Sequence, residues 1–183
     1  MSSTRSASIT LAFLLVAASV RPARGGEIPA QLDPALMNPY LRLQPGLAAA
    51  GRPSAAALDK LAGWGFKTVV SLRTTEEEGV VEEAAAVKAA GLRYVSVPIT
   101  SDSFSVADVA AVERVLADPA AAPVLLHCTS SNRVGAVWAA IQYRKGRSFE
   151  DAEKDGVAAG LHSPAMRQAL RRALGLPPPS PAP

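Results

Sequence analysis

Residues 123–140 read PVLLHCTSSNRVGAVWAA, and this stretch decides the fold. Val124, Leu125 and Leu126 lead into His127 and Cys128. Four small polar residues follow, Thr129, Ser130, Ser131 and Asn132, then Arg133, Val134 and Gly135. Beyond them Val137, Ala140 and Ile141 stand at helical spacing. The pattern predicts a buried strand, a tight loop and a helix N-terminus. A thiol stands where the loop begins and a guanidinium where it ends.

Such a loop attracts anions for separable reasons. The first amides of a helix lack intrahelical partners, and the aligned peptide dipoles add partial positive charge there. Loop amides curled round a centre make a nest for an oxyanion, with donation expected from Ser130 to Arg133. Arg133 adds a planar fork for two oxygens of a tetrahedral anion. The same field favours the thiolate of Cys128, the nucleophilic form. The side chains of Ser130, Ser131 and Asn132 either donate into the loop or tolerate its turn conformations.

His-Cys-x4-Arg-Val-Gly after an apolar strand resembles the cysteine-dependent (protein tyrosine and dual-specificity) phosphatase superfamily. More closely, it resembles the bacterial beta-lactamase-hydrolase-like, phosphatase-like proteins. Further matching stretches are Gly65 to Arg73 (GFKTVVSLR), Gln44-Pro45 and Tyr94 to Pro98 (YVSVP), so the resemblance spans roughly Asn38 to Leu174. It implies a dual-specificity-phosphatase-like fold and a phosphocysteine intermediate on Cys128. Arg133 and the loop Thr129–Arg133 would bind phosphate. His127 would orient the loop, and an Asp on a loop upstream of the cysteine would serve as general acid. Three departures stand out. Only four residues separate Cys128 from Arg133, where most of the superfamily has five. Ser131 stands in the place of a loop glycine, and Val134 replaces the Ser or Thr after the arginine. The short loop is similar to that of rhodanese-type sulfurtransferases, whose cysteine carries a single sulfur atom.

The rest of the chain frames this site. Residues 1–25 read as a secretory leader, with Arg5 before the apolar run Ile9 to Val20 and Ala23-Arg24-Gly25 near a cleavage point. That predicts a secreted, periplasmic protein with no membrane attachment once the leader is removed. Of 19 basic residues, Arg5, Arg21 and Arg24 belong to the leader, leaving 16 against 16 acids. No basic face speaks for nucleic acid. The single cysteine excludes an internal disulfide and a two-cysteine redox mechanism. Two histidines with one cysteine give no metal-ligand spacing, so neither metal nor cofactor is expected. Residues 38–175 read as one catalytic domain and 176–183 as a Pro-rich disordered tail.

Within that domain, strands are expected at Tyr40–Leu43, Phe66–Leu72, Arg93–Ile99 and Pro123–Leu126. Helices are expected after Ser54, over Glu76–Ala90 and Ser105–Asp118, from Arg133 to Arg144, after Ser148 and after Ser163-Pro164. Alternating strands and helices predict a three-layer α/β domain, its largely parallel sheet flanked by helices on both faces. In such sheets, sites form beyond the carboxyl ends of the strands, where Cys128 falls.

Two aspartates compete for the role of general acid. Asp108 has a structural explanation as the far half of a capping box with Ser105. Asp102, in the turn Thr100-Ser101-Asp102-Ser103, has none and is the choice. Arg73 ends a neighbouring strand, where it either pairs with Glu76–Glu78 or helps set the field of the pocket. The leading expectation is therefore a phosphatase acting on a phosphorylated protein or a small phosphate ester. A sulfurtransferase drawing on a sulfane-sulfur donor through a Cys128 persulfide is the first alternative. A non-catalytic oxyanion-binding module is the second.

Overall fold

The computed structural model describes residues 27–178. The predicted leader, residues 1–25, and residues 179–183 of the predicted tail lie outside that range. The sheet has five strands: β1 (Tyr40–Gln44), β2 (Leu47–Ala50), β3 (Thr68–Ser71), β4 (Arg93–Ser96) and β5 (Val124–His127). Their order is β1-β2-β5-β3-β4; β1 pairs antiparallel with β2, and all other pairs are parallel. Helices α1 (Ala55–Leu58), α2 (Val80–Ala89), α3 (Val106–Ala117), α4 (Asn132–Arg144), α5 (Phe149–Ala158) and α6 (Pro164–Ala173) cover it. This is the α/β architecture expected, helices on both faces of a mostly parallel sheet.

Side-chain alternation along the strands separates two cores. Leu47, Ala49, Val70, Val124 and Leu126 pack with residues of α3, α4 and α6. Ala48, Ala50, Val69 and Leu125 face the other way, toward Ala57 and Leu58 of α1 and Val87 of α2. Strand β5 lies between β2 and β3, and all four of its residues are buried. The central position of β5 carries Cys128 to the carboxyl edge of the sheet.

Strand β2 is the element missing from the sequence reading. Its residues Leu47-Ala48-Ala49-Ala50 have poor strand propensity, and three alanines carry no strand signal. They are all buried in the structure, so small size lets helices approach on both faces. Packing, rather than propensity, makes this segment a strand. Helix α2 also begins later than the acidic run suggested, at Val80 after Gly79 with φ 79°. Residues 74–79 instead form a loop that reaches over the carboxyl edge.

Helix α4 is the central helix, buried from Val134 to Ile141. Its Gly135 explains part of the Arg-Val-Gly motif. A Cβ there would lie 2.3 Å from the amide nitrogen of Leu161 and 2.5 Å from the carbonyl oxygen of Gly156. On α5, a Cβ at Gly156 would lie 2.7 Å from the Gly135 carbonyl oxygen. The two backbones touch at this point, which sets the angle at which α4 presents its N-terminus. Gly135→Ala should therefore force α4 and α5 apart and destabilise the fold by about 1–3 kcal/mol, the usual cost of overpacking. Urea denaturation would measure it, and a wild-type midpoint would contradict the close-contact argument.

Candidate active site

The loop between β5 and α4 runs Cys128-Thr129-Ser130-Ser131, with Asn132 and Arg133 opening the helix. Among the described residues, the amides of Thr129, Asn132 and Arg133 make no backbone hydrogen bond. This is the amide-rich geometry expected at a helix N-terminus. Cys128 is buried, 1% exposed, and its own amide donates to the Ala50 carbonyl at 3.3 Å.

Ser131 explains one departure from the family pattern. Its φ is 64°, the left-handed region that glycine occupies without penalty, and it is the only non-glycine residue with positive φ among those described. The conformation costs roughly 1–2 kcal/mol in an L-residue. Its hydroxyl donates to the Ala159 carbonyl at 2.8 Å in a buried setting, a bond of order 1 kcal/mol that offsets much of this cost. Asn132 also faces away from the loop. Its Oδ1 accepts from the amides of His162 at 2.9 Å and Ser163 at 3.1 Å, and its Nδ2 donates to Ser163 Oγ at 2.9 Å. These two side chains tie the loop to the α5–α6 connection. The side chains of residues 131 and 132 are thus engaged outside the loop.

Arg133 reaches back across the sheet edge. Nη1 donates to the carbonyls of Leu72 and Ile99, each at 3.1 Å, and to Glu77 Oε1 at 2.5 Å. Nη2 donates to Glu77 Oε2 at 2.9 Å and Thr129 Oγ1 at 3.0 Å, and the Thr129 hydroxyl donates to Glu77 Oε2 at 2.6 Å. The end-on fork of the guanidinium is thus closed by one carboxylate, while the side-on edge at Nε remains. Burial alone would lower the pKa of Arg133. The hydrogen bond to Glu77, and then the charge of Cys128, outweigh it and raise the value. A Cys128 thiolate would thus favour the charged form of Arg133.

Glu77 and Glu83 are the site residues that the sequence reading missed. Glu77 also accepts from the Thr74 amide at 2.9 Å and from Arg73 Nε at 3.4 Å. Arg73, 2% exposed, donates through Nη1 to Glu83 Oε2 at 3.0 Å and through Nη2 to the Glu78 carbonyl at 2.5 Å. Pairing of Arg73 with the acidic run was one of the two expectations for it; its contact with Glu83, on α2, was not foreseen. Glu83 Oε1 lies 3.1 Å from His127 Nε2 and accepts from the Tyr94 hydroxyl at 3.1 Å. The imidazole approach is off the straight line that a hydrogen bond needs, so the contact is one of proximity. Burial and the neighbouring Glu83 push the Tyr94 hydroxyl up to about 12, which keeps it a donor. The triple-acid run behind Arg73 was the one available signal for Glu77. Nothing local distinguishes Glu83 from a solvated helix acid.

Asp102 stands exposed in the turn after β4, and Arg172 Nη2 braces that turn through the carbonyls of Ser101 at 2.6 Å and Asp102 at 3.4 Å. Asp108 accepts from the Ser105 amide at 2.9 Å and hydroxyl at 2.8 Å, the capping role expected of it. A cavity of about 400 Å³ opens beside the loop, lined by Arg133, Glu77, Thr74, Thr100, Ser101 and Asn132 among others. The Asp102 turn forms part of its rim through Thr100 and Ser101. Among the described residues, no group of three or more His, Cys, Asp or Glu side chains is placed to hold a metal ion.

Residues 40–144 match the family described as beta-lactamase hydrolase-like protein, phosphatase-like domain, and the chain belongs to that family. It is 29% identical over 137 residues to the beta-lactamase hydrolase-like protein of Agrobacterium fabrum, an alignment covering 72% of this chain and 32% of that protein. The chain thus spans about a third of that relative's length. Among solved structures, the fold is similar to P. aeruginosa TpbA, with TM-score 0.60 and 25% identity over 82% of this chain and 92% of that one. It is also similar to the core catalytic domain of the PP-IP phosphatase SIW14 from S. cerevisiae. There the TM-score is 0.60 at 15% identity, covering 72% of this chain and 83% of that one. Fold and family together place the chain in the cysteine-dependent phosphatase superfamily.

The state of Glu77 sets an acid limit on this arrangement. Burial raises its pKa, but hydrogen bonds from Arg133, Thr129 and the Thr74 amide, with the charge of Arg133, lower it from 4.5 to about 2. A depressed carboxyl stabilises the folded state above its unfolded value, and that contribution is lost as pH falls through the folded value. The Arg133–Glu77 lock should therefore weaken between about pH 4.5 and 2. Thermal midpoints of wild type minus Glu77→Gln should converge across that window. A constant difference down to pH 2 would remove Glu77 as the titrating group.

Proposed function

We propose that this chain is a periplasmic cysteine-dependent phosphatase that hydrolyses a phosphate monoester through a phosphocysteine intermediate. The observation that supports it most directly is the Cys128-x4-Arg133 unit itself: the thiol follows β5, Arg133 opens α4, and among the described residues the amides of Thr129, Asn132 and Arg133 make no backbone hydrogen bond. The thiolate of Cys128 attacks phosphorus, the bond to the leaving oxygen breaks, and Asp102 gives that oxygen its proton. Water then attacks the phosphocysteine, Asp102 accepts its proton, and phosphate leaves with the thiolate restored. The loop amides and the Nε edge of Arg133 stabilise the equatorial oxygens, where a single donor is typically worth about 3 kcal/mol. Phosphorylated proteins and small phosphate esters are the substrate classes in view. The periplasmic assignment rests on the leader alone.

Two observations point to slow or selective turnover. The loop is one amide short of the superfamily's usual length, and Glu77 already holds the end-on fork of Arg133. With Cys128 1% exposed, its surroundings must yield for an anion to reach the sulfur. The short loop also favours the second reading, a sulfurtransferase in which Cys128 carries one sulfane sulfur and needs no acid.

Mature protein assayed with an aryl phosphate, and with thiosulfate plus cyanide, separates these readings beside Cys128→Ser. Phosphate release abolished in Cys128→Ser supports the phosphatase. Thiocyanate formation supports the sulfurtransferase, and silence in both assays leaves an oxyanion-binding module. Asp102→Asn should lower kcat roughly 10²- to 10⁴-fold with poor leaving groups and far less with activated ones. An unchanged rate with poor leaving groups removes Asp102 from the mechanism.

A further inference from the structure

Beneath the loop, charged and polar side chains of alternating character run unbroken from one of its ends to the other. His127, before the nucleophile, lies 3.1 Å from Glu83; Glu83 lies 3.0 Å from Arg73; Arg73 lies 3.4 Å from Glu77. Glu77 then meets Arg133, at the other end of the loop, at 2.5 and 2.9 Å. The chain therefore closes a ring whose remaining arc is the loop itself, residues 128–132.

The middle of this chain is costly to build. Arg73 and Glu83 are 2% and 3% exposed, and burying two charges sacrifices hydration that a packed apolar pair would not. Arg73 commits all three guanidinium nitrogens to the arrangement, through Glu77, Glu83 and the Glu78 carbonyl. Glu77 in turn commits both carboxylate oxygens to Arg133. Arg73, Glu77 and Glu83 are each held at two or more points, so the orientation of one sets the next, whereas His127 only lies beside Glu83. The loop is one residue shorter than is usual in the superfamily and has Val134 after the arginine.

We propose that Arg73 and Glu83 are positioning residues of the oxyanion site: Glu83 fixes Arg73, and Arg73 holds the plane of Arg133 through Glu77. The brace keeps a four-residue loop at the width that a tetrahedral anion requires. It rests on the reading of the loop as an oxyanion site, but not on turnover. A role in packing alone would lower stability and leave anion affinity in the folded protein unchanged.

The test is alkylation of Cys128 by iodoacetamide against rising inorganic phosphate, at a temperature where circular dichroism shows each variant folded. Phosphate should protect the wild-type thiol. Absence of that protection means the oxyanion reading itself has failed, and the proposal with it. In Arg73→Lys and Glu83→Gln, the half-protecting phosphate concentration should rise about tenfold or more, since small misplacements of a binding group cost that much. The double variant should be no worse than the weaker-binding single one, because both act through one unit. Glu77→Gln lies in a more exposed loop and serves where the buried variants do not fold. Coulomb's law alone makes phosphate bind more tightly when that negative charge is removed; the positioning role makes it bind more weakly. On the Glu77→Gln background, Arg73→Lys should change little further. Tighter phosphate in Glu77→Gln, or wild-type protection in folded Arg73→Lys, overturns the proposal even where the oxyanion reading stands.

Discussion

The carboxylate of Glu77 meets the guanidinium of Arg133 at two points, and the carboxyl edge of the sheet is arranged around that contact. It joins the loop after β3 to the first turn of α4, elements far apart in sequence. Arg133 also donates to the carbonyls of Leu72 and Ile99, so the ends of three chain segments meet on one planar group. A guanidinium suits this because its donors are fixed in a plane and its charge does not vary with pH.

The part of the site carried by consecutive residues was legible in the sequence. An apolar strand, a thiol, a small-residue loop and an arginine at a helix start imply one another through local geometry, and the structure builds that unit from β5 to α4. The fold class followed from strand and helix alternation for the same reason. What escaped was non-local. Glu77 lies 56 residues from Arg133, and its role depends on a parallel sheet bringing β3 beside β5. Glu83 carries no mark on α2 that separates it from its solvated neighbours. Strand β2 escaped because Ala48, Ala49 and Ala50 are chosen for close approach, which propensity does not register.

The polar residues of the loop show how composition misleads about direction. Thr129, Ser131 and Asn132 look equivalent in sequence, yet only Thr129 turns toward Arg133 and Glu77. Ser131 and Asn132 point to the α5–α6 connection, where their bonds to Ala159, His162 and Ser163 hold the helix N-terminus against its neighbours. Such bonds let a serine occupy the left-handed position that glycine would otherwise take, with its φ of 64°. The departure from the family pattern therefore changes how the turn is stabilised and leaves its backbone conformation within reach.

Loop length is the remaining departure, and here the surroundings carry the argument. A loop with one amide fewer offers less stabilisation to a phosphoryl group, and the end-on fork of Arg133 is already engaged. Both effects act against phosphate and neither acts against a single sulfur atom. In the proposed reading a tetrahedral anion is held by the amides at the α4 N-terminus and the Nε edge of Arg133, and a cavity of about 400 Å³ lies beside Arg133. A sulfur atom transferred to Cys128 would need none of that volume. A donor such as thiosulfate is itself a tetrahedral anion, however, so an oxyanion site would serve either chemistry. Discrimination between them then falls on the leaving group. A phosphate ester with a basic leaving oxygen needs a proton donor, and in the proposed mechanism that donor is Asp102, in the exposed turn after β4.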